Sequence, residues 1–304
     1  MTRTPIKDTF LKYSHECGKG EARRESRLTE GELLEAGSAW EERLRDCAGT
    51  VNVFLASGTE RKIECVRVGR AGYCLSAAFL LDKSLLSKLI GYMLERRFDG
   101  GGWADPEETA WSLGLLSQMI NGNRGGFEED HAWLSEVRFP CGGWGHHSRD
   151  QARIPATALV IALVPEVATE VDWAWLRNEW GRDLERPVKL SYKGGFYLLA
   201  EKRDAETTLP DTTIRFLEQD QNDDGGFGPW KDHPIGSDPW STGVVLWGLS
   251  RWIDRVDRSV VERALDWLEK TQLPSGYWPY HYLDEGTSYA LIGAVSALKA
   301  LQRL

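Results

Sequence analysis

The sequence predicts an all-α protein, an α6/α6 toroid in which inner and outer helices alternate around a double ring. Three observations predict it. A loop pattern recurs along the chain, two kinds of helix alternate between the loops, and the last enclosed helix runs nearly to the final residue. The loop pattern Gln-x-x-x-Gly-x-Trp is complete in "TQLPSGYWPY", at Gln272, Gly276 and Trp278. It recurs with phenylalanine at Gln221, Gly225 and Phe227. Arg97 and Arg138 take the glutamine place before Gly101 and Trp103 and before Gly142 and Trp144. The four glycines stand 41, 83 and 51 residues apart, and the middle step predicts a decayed copy near residue 183. Periods of this size mark repeated supersecondary units that bury their apolar faces against one another.

In chain order, amphipathic segments fall at about 38–56, 83–97, 129–138, 172–183, 207–220 and 257–272. The last shows the type: Val261, Ala264, Leu265 and Leu268 share one face, and Ser259 and Glu262 stand at capping-box spacing. Each is followed by a segment apolar nearly all round, at 72–81, 109–119, 157–164, 191–202, 242–250 and 287–301. Such helices are enclosed on most sides, and their Gly, Ala and Ser residues permit close approach. "SYKGGFYLLAEK" (191–202) carries the weakest form of the pattern, and "TVNVFLAS" (50–57) reads either as a strand or as the end of the first outer helix. Six wet-sided and six enclosed helices are satisfied together by two concentric rings. A linear solenoid would need polar caps at both ends, which the terminal enclosed helix does not supply. Residues 1–35 form a charged extension, leaving 36–304 as a single toroid domain.

Composition narrows the function classes. The 304 residues are 41% apolar and 27% charged, a globular balance. A net charge of −9 leaves no surplus of Lys and Arg to neutralise nucleic-acid phosphates. No apolar run is long enough to cross a bilayer, and five scattered cysteines do not form a disulfide framework, so a cytoplasmic location is expected. Fourteen tryptophans point to an aromatic-lined cavity or to a repeated structural device.

The loops resemble the QW repeats of squalene–hopene cyclases and other class II terpene cyclases, and the related repeats of protein prenyltransferase β subunits. The resemblance covers about residues 60–304. It implies an α6/α6 barrel whose loops tie neighbouring outer helices together, with the glutamine amide bonded to a helix end beneath the aromatic ring. A planar amide suits that task because helix ends leave backbone groups without partners. Trp278 is then a structural residue.

The same resemblance supplies a candidate chemistry. Class II cyclases carry Asp-x-Asp-Asp-Thr-Ala at the head of an inner helix, and the middle aspartate protonates an alkene or epoxide. "DPEETAW" is similar, as Asp105, Glu107, Glu108, Thr109 and Ala110. The similarity implies Glu107 as proton donor, with Asp105 and Glu108 as supporting carboxyls. Crowded carboxyls raise one another's pKa, and a dry cavity protects a cation. Trp111, Tyr289 and Trp247 could stabilise positive charge through their ring faces, and Asp238 heads another inner helix, where it would cap and face the cavity mouth. Two glutamates replace aspartates here, Pro106 fills the variable place, and the preceding loop is short for a cyclase. Glu107 and Glu108 would also serve as first-turn partners of a helix dipole, and Thr109, Thr157, Thr242 and Thr287 recur at comparable places.

Other chemistries fit less well. The prenyltransferase zinc site needs an Asp, a Cys two residues later and a later His; Asp238 matches, but Trp240 and Gly286 occupy the other places. Cys141, His146 and His147 are three metal-competent side chains without a fourth, and Asp223 with Asp224 reads as a turn. No cofactor is implied. The expected function is acid-initiated cyclisation of a polyprenyl or related apolar substrate, with a partner protein completing the site if one toroid is too little. The alternative is a non-catalytic toroid that holds a lipid, peptide or protein. A glycosidase would need two opposed carboxylates, for which Asp105 or Glu107 facing Asp238 are candidates.

Overall fold

A computed structural model describes residues 37–119, 126–147 and 149–302. The extension expected over 1–35 lies outside the described residues. Among the described residues there are twelve α-helices and no strand. The outer helices are α1 (Gly37–Arg61), α3 (Leu86–Arg96), α5 (Glu128–Glu136), α7 (Glu170–Leu184), α9 (Leu209–Asp220) and α11 (Arg258–Thr271). The inner ones are α2 (Cys65–Ala77), α4 (Pro106–Met119), α6 (Ile154–Leu163), α8 (Ser191–Ala200), α10 (Pro239–Ser250) and α12 (Leu283–Gln302). Each inner helix packs on the next, and α12 packs back on α2, so the ring is closed.

Enclosure explains the inner sequences. Every residue of α6 except Pro155 and Ala162 is buried. Helices α10 and α12 meet backbone to backbone at two glycines. A Cβ on Gly243 would lie 2.2 Å from the Tyr289 carbonyl oxygen, and one on Gly293 would lie 2.3 Å from that of Gly243. No side chain fits there. The segment 50–57 is helical, inside α1, because it follows a helical stretch whose buried face it continues through Val51 and Leu55. The first inner helix starts at Cys65 rather than near residue 72. The weakly patterned segment after residue 190 is helix α8, whose buried Phe196 and Tyr197 supply the packing.

The rim loops share one construction. Gly101, Gly142, Gly225 and Gly276 all have φ between 83° and 96°, a region costly for residues with a Cβ. Each also lies against the next outer helix, where a Cβ would come within 2.4–2.7 Å of the carbonyl oxygen of Glu129, Val171, Arg263 or Asp46. The aromatic residue two positions on is fully buried, and its backbone N–H donates to a threonine hydroxyl at the head of the following inner helix. Those four bonds, Trp103 to Thr109, Trp144 to Thr157, Phe227 to Thr242 and Trp278 to Thr287, are all 2.9 Å. The indoles of Trp103, Trp144 and Trp278 donate to the carbonyls of Met93, Leu134 and Leu268, at 3.0, 2.8 and 2.7 Å. Phe227 has no such donor.

The residue at the glutamine position crosses to the next outer helix in one of two ways. Gln221 donates to the Val260 carbonyl at 2.8 Å, and Gln272 to that of Arg43 at 3.0 Å. The second of these joins the last loop to the first helix. Where arginine stands instead, the neighbouring helix answers with a buried aspartate. Arg97 Nε lies 2.7 Å from Asp130, which also accepts from Gly102 N–H at 2.7 Å. Arg138 lies 3.2 Å from Asp172, which accepts from Gly143 N–H at 2.9 Å. The residues following Arg263 and Asp46, in the glutamine copies, are the uncharged Ala264 and Cys47. Charge is therefore matched copy by copy. The decayed copy near residue 183 has no such loop; Trp180, within α7, makes the crossing instead through a 2.7 Å bond to Thr213 of α9.

This matching predicts a double-mutant cycle readable by urea unfolding. Asp130→Ala alone leaves the mostly buried Arg97 guanidinium with the exposed Glu129 as its remaining partner, at 2.9 Å, and should cost up to about 3 kcal/mol. Arg97→Gln combined with Asp130→Ala recreates the glutamine form and should recover most of that loss. Separately, Thr287→Val leaves the Trp278 N–H without an acceptor and should cost about 1–3 kcal/mol; a change within 0.3 kcal/mol would contradict the assigned role.

Candidate functional site

The loops between outer and inner helices all lie at one end of the toroid, where the inner helices begin. Helical spacing stacks two layers there, because residues three or four apart share a face. On α2, Arg70 precedes Tyr73; on α4, Glu107 precedes Trp111; on α8, Tyr192 precedes Phe196; on α12, Glu285 precedes Tyr289. Helix α10 contributes Trp240 to the polar layer and Trp247 below it.

The lower layer is a filled aromatic floor. Trp111 and Trp247, from opposite sides of the inner ring, stack with centroids 6.0 Å apart and planes 22° apart. Tyr73 meets Trp111 edge-on at 5.4 Å. Tyr289 meets Trp111 at 5.9 Å, Phe196 at 6.1 Å and Trp240 at 5.5 Å, in T-shaped contacts. These distances are those of favourable ring pairs. The three candidate rings Trp111, Tyr289 and Trp247 are thus brought together, but they touch across the axis and close the hollow expected from the sequence.

The three candidate carboxyls diverge. Asp105 caps α4, accepting the Glu108 N–H at 2.8 Å. Glu108 turns sideways to the start of α2, accepting from Val66 N–H at 3.0 Å and Ala104 N–H at 3.3 Å. It lines a lateral surface cavity of about 530 Å³ together with Cys65, Arg67, Arg96 and Phe98. Burial raises its pKa, opposed by those two backbone bonds. Glu107 makes no hydrogen bond among the described residues. It is half-buried, and its surroundings come from three directions: Arg70 of α2, Glu285 of α12 and His146 of the loop before α6. Burial holds its pKa above the usual carboxylate range; Asp105 and Glu285 add to the rise, and Arg70 and His146 oppose it. Of the three, Glu107 is the carboxyl without a hydrogen bond among the described residues.

Asp238 is an N-cap, with its two oxygens taken by Ser241 N–H and Ser241 Oγ, each at 2.7 Å. Burial raises its pKa too, and those bonds oppose the rise. Cys141, His146 and His147 are exposed, and among the described residues no group of His, Cys, Asp and Glu gathers to hold a metal. The sequence reading missed Arg70 and Glu285. Arg70 is 5% exposed, lies 3.5 Å from Glu285 and 3.8 Å from Asp284, and sits 5.7 Å from the Tyr289 centroid. Arg67 holds Asp284 bidentately at 2.6 and 3.0 Å. A charged residue one turn before an axial aromatic was the available signal.

No helix among the described residues is long and apolar enough to cross a membrane. No family model matches the sequence, and no curated protein sequence matches it. The fold does have counterparts among solved structures. The type II terpene cyclase MstE from Scytonema, in its apo form, superposes with a TM-score of 0.63 at 16% identity, over 86% of this chain and 99% of that one. A variant of the same cyclase in complex with its substrate, geranylgeranyl dihydroxybenzoate, gives 0.62 at 15% identity, over 85% and 99%. A possible member of the GH105 family from Klebsiella pneumoniae gives 0.54 at 12% identity, over 98% and 99%. At such identities the likeness concerns the fold. This chain has the all-α toroid fold of the type II terpene cyclases.

Proposed function

We propose that the protein is a class II terpene-cyclase-like enzyme that starts cyclisation of an isoprenoid by protonating an alkene. Glu107 is the acid. The observation that carries this reading is a half-buried carboxyl, with its pKa raised by burial, that has no hydrogen-bond partner among the described residues and stands one turn before an aromatic floor. In the proposed first step the Glu107 O–H bond breaks and the alkene π pair forms a C–H bond. The positive charge then on carbon lies over Trp111 and Tyr289, whose ring faces attract cations. Attack by a second alkene closes the ring, and loss of a proton from a neighbouring carbon to a carboxylate ends the sequence, with Glu285 the acceptor from α12. Asp105 and Glu108 act as positioning residues that fix the head of α4. The rim loops serve as QW repeats in this reading. The MstE match spans 99% of that chain, so a cyclase can be built at the scale of one toroid, and a protein partner is not required by size.

Product analysis after incubation with squalene, farnesyl diphosphate and geranylgeranyl diphosphate tests the proposal. Glu107→Gln should lower turnover by about 10²-fold or more, while Asp238→Asn, which alters a helix cap, should not abolish it. The filled axis favours one second reading, a toroid that binds an isoprenoid or other lipid above the floor without converting it. Binding without product from any of the three substrates would select it.

The same carboxyl predicts a pH signature in stability. An acid whose pKa is raised by folding binds its proton more tightly in the native state, so its ionisation opposes folding. The penalty is fully present above the folded pKa and vanishes as pH falls toward 4.5, the ordinary value. Glu107→Gln should therefore raise the thermal midpoint at pH 8, with the gain shrinking steadily to nothing near pH 4. A gain independent of pH would contradict the assignment.

A further inference from the structure

Arg70 is unusual among the arginines for what its guanidinium lacks. The side chain is buried, yet its Nε has no partner among the described residues. Its Nη1 and Nη2 stand 3.5 Å from Glu285 and 3.8 Å from Asp284, beyond ordinary hydrogen-bond length. Arg67, three residues earlier, already matches the charge of Asp284 with two short bonds. Two more buried donors have no acceptor among the described residues, the Nε1 atoms of Trp111 and Trp240. All three groups surround one ring: Tyr289 lies 5.7 Å from the Arg70 guanidinium and 5.9 and 5.5 Å from the two indoles. Buried donors are nearly always paired, and a guanidinium offers five of them in a fixed fork. Three donors thus gather around one ring with no acceptor among the described residues.

We propose that this layer is a receptor for the uncharged oxygen of a terpenoid head group, a hydroxyl or carbonyl, held chiefly by Arg70. The proposal deepens the reading of this end of the toroid as an isoprenoid site and rests on it. Charge selects the class. Arg67 and Arg70 face Asp284 and Glu285, two cations against two anions, so a carboxylate would add an unmatched negative charge close to Glu107. A neutral oxygen accepts from Arg70 without that repulsion. A hydrocarbon leaves every donor unpaired.

Tryptophan fluorescence titrations of the full chain with farnesol, farnesoate and farnesene test this, since Trp111 and Trp240 border the receptor. Farnesol should bind at least about tenfold more tightly than farnesene, because a site built to hydrogen-bond an oxygen rejects the analogue lacking it. It should also exceed farnesoate at pH 7.5. Arg70→Met should lower farnesol affinity to that of farnesene while leaving farnesene unchanged. Arg70→Lys keeps the charge but loses the fork, and it should also weaken farnesol binding, which covers the case in which the methionine variant unfolds. Equal binding of farnesol and farnesene, a preference for farnesoate, no effect of either Arg70 variant in a folded protein, or no binding at all would each overturn the proposal. The readout is binding, so absence of turnover in the wild type would count against the proposed reaction and not against this receptor.

Discussion

Ring closure is the constraint on which the rest of this structure depends. A chain of helix pairs becomes a toroid when its last loop finds its first helix, and here the contact is specific. Gln272 bonds the Arg43 carbonyl and Gly276 lies against Asp46, while Arg67 of α2 grips Asp284 of α12. The outer clasp and the inner ion pair fix the same seam at two radii. The inner one also has a functional consequence, because α2 and α12 carry Arg70 and Glu285. Closure brings these two side chains to the axis on the same side as Glu107, since α2 packs directly on α4.

The axis shows how one helical period can build a site. Arg70, Glu107, Tyr192 and Glu285 each stand one turn before an aromatic of the lower layer, so helix geometry alone sets their vertical separation. The floor contributes large apolar burial and favourable ring contacts, which stabilise the ring from within. The upper layer does the opposite. Among the described residues it holds a carboxyl without a hydrogen bond and a buried guanidinium with loose partners, arrangements that cost stability unless something completes them. Local deficits of this kind are where function is expected in an otherwise consistent fold.

Much of the architecture was legible because it is written in repeats. The Gln/Arg–Gly–aromatic spacing located four rim loops, and the alternation of wet-sided and enclosed segments located all twelve helices, with the start of α2 the largest miss. The start of α2 was misplaced because Arg67 and Arg70 break an otherwise apolar pattern, and they do so for the seam and the axis. The site was legible in part. Glu107, Trp111, Tyr289 and Trp247 do converge, but spacing along α4 could not separate Glu107, which faces the axis, from Glu108, which faces the backbone of α2. Arg70 and Glu285 escaped notice because their significance lies in being neighbours across a closure more than 200 residues long in sequence. The filled floor was likewise hidden, since sequence shows that aromatic residues line an axis but not that they meet across it.

Folding carries Glu107 to a half-buried position with no hydrogen bond among the described residues, where burial raises its pKa. Carbon-detected NMR titration of the glutamate carboxyls, with the Glu107 resonance assigned by its loss in Glu107→Gln, measures this most directly. The expected midpoint lies above 4.5, the ordinary value for the side chain. A midpoint at or below that value would mean that Glu107 is hydrated or paired as a carboxylate, and the role of axial acid would then be untenable.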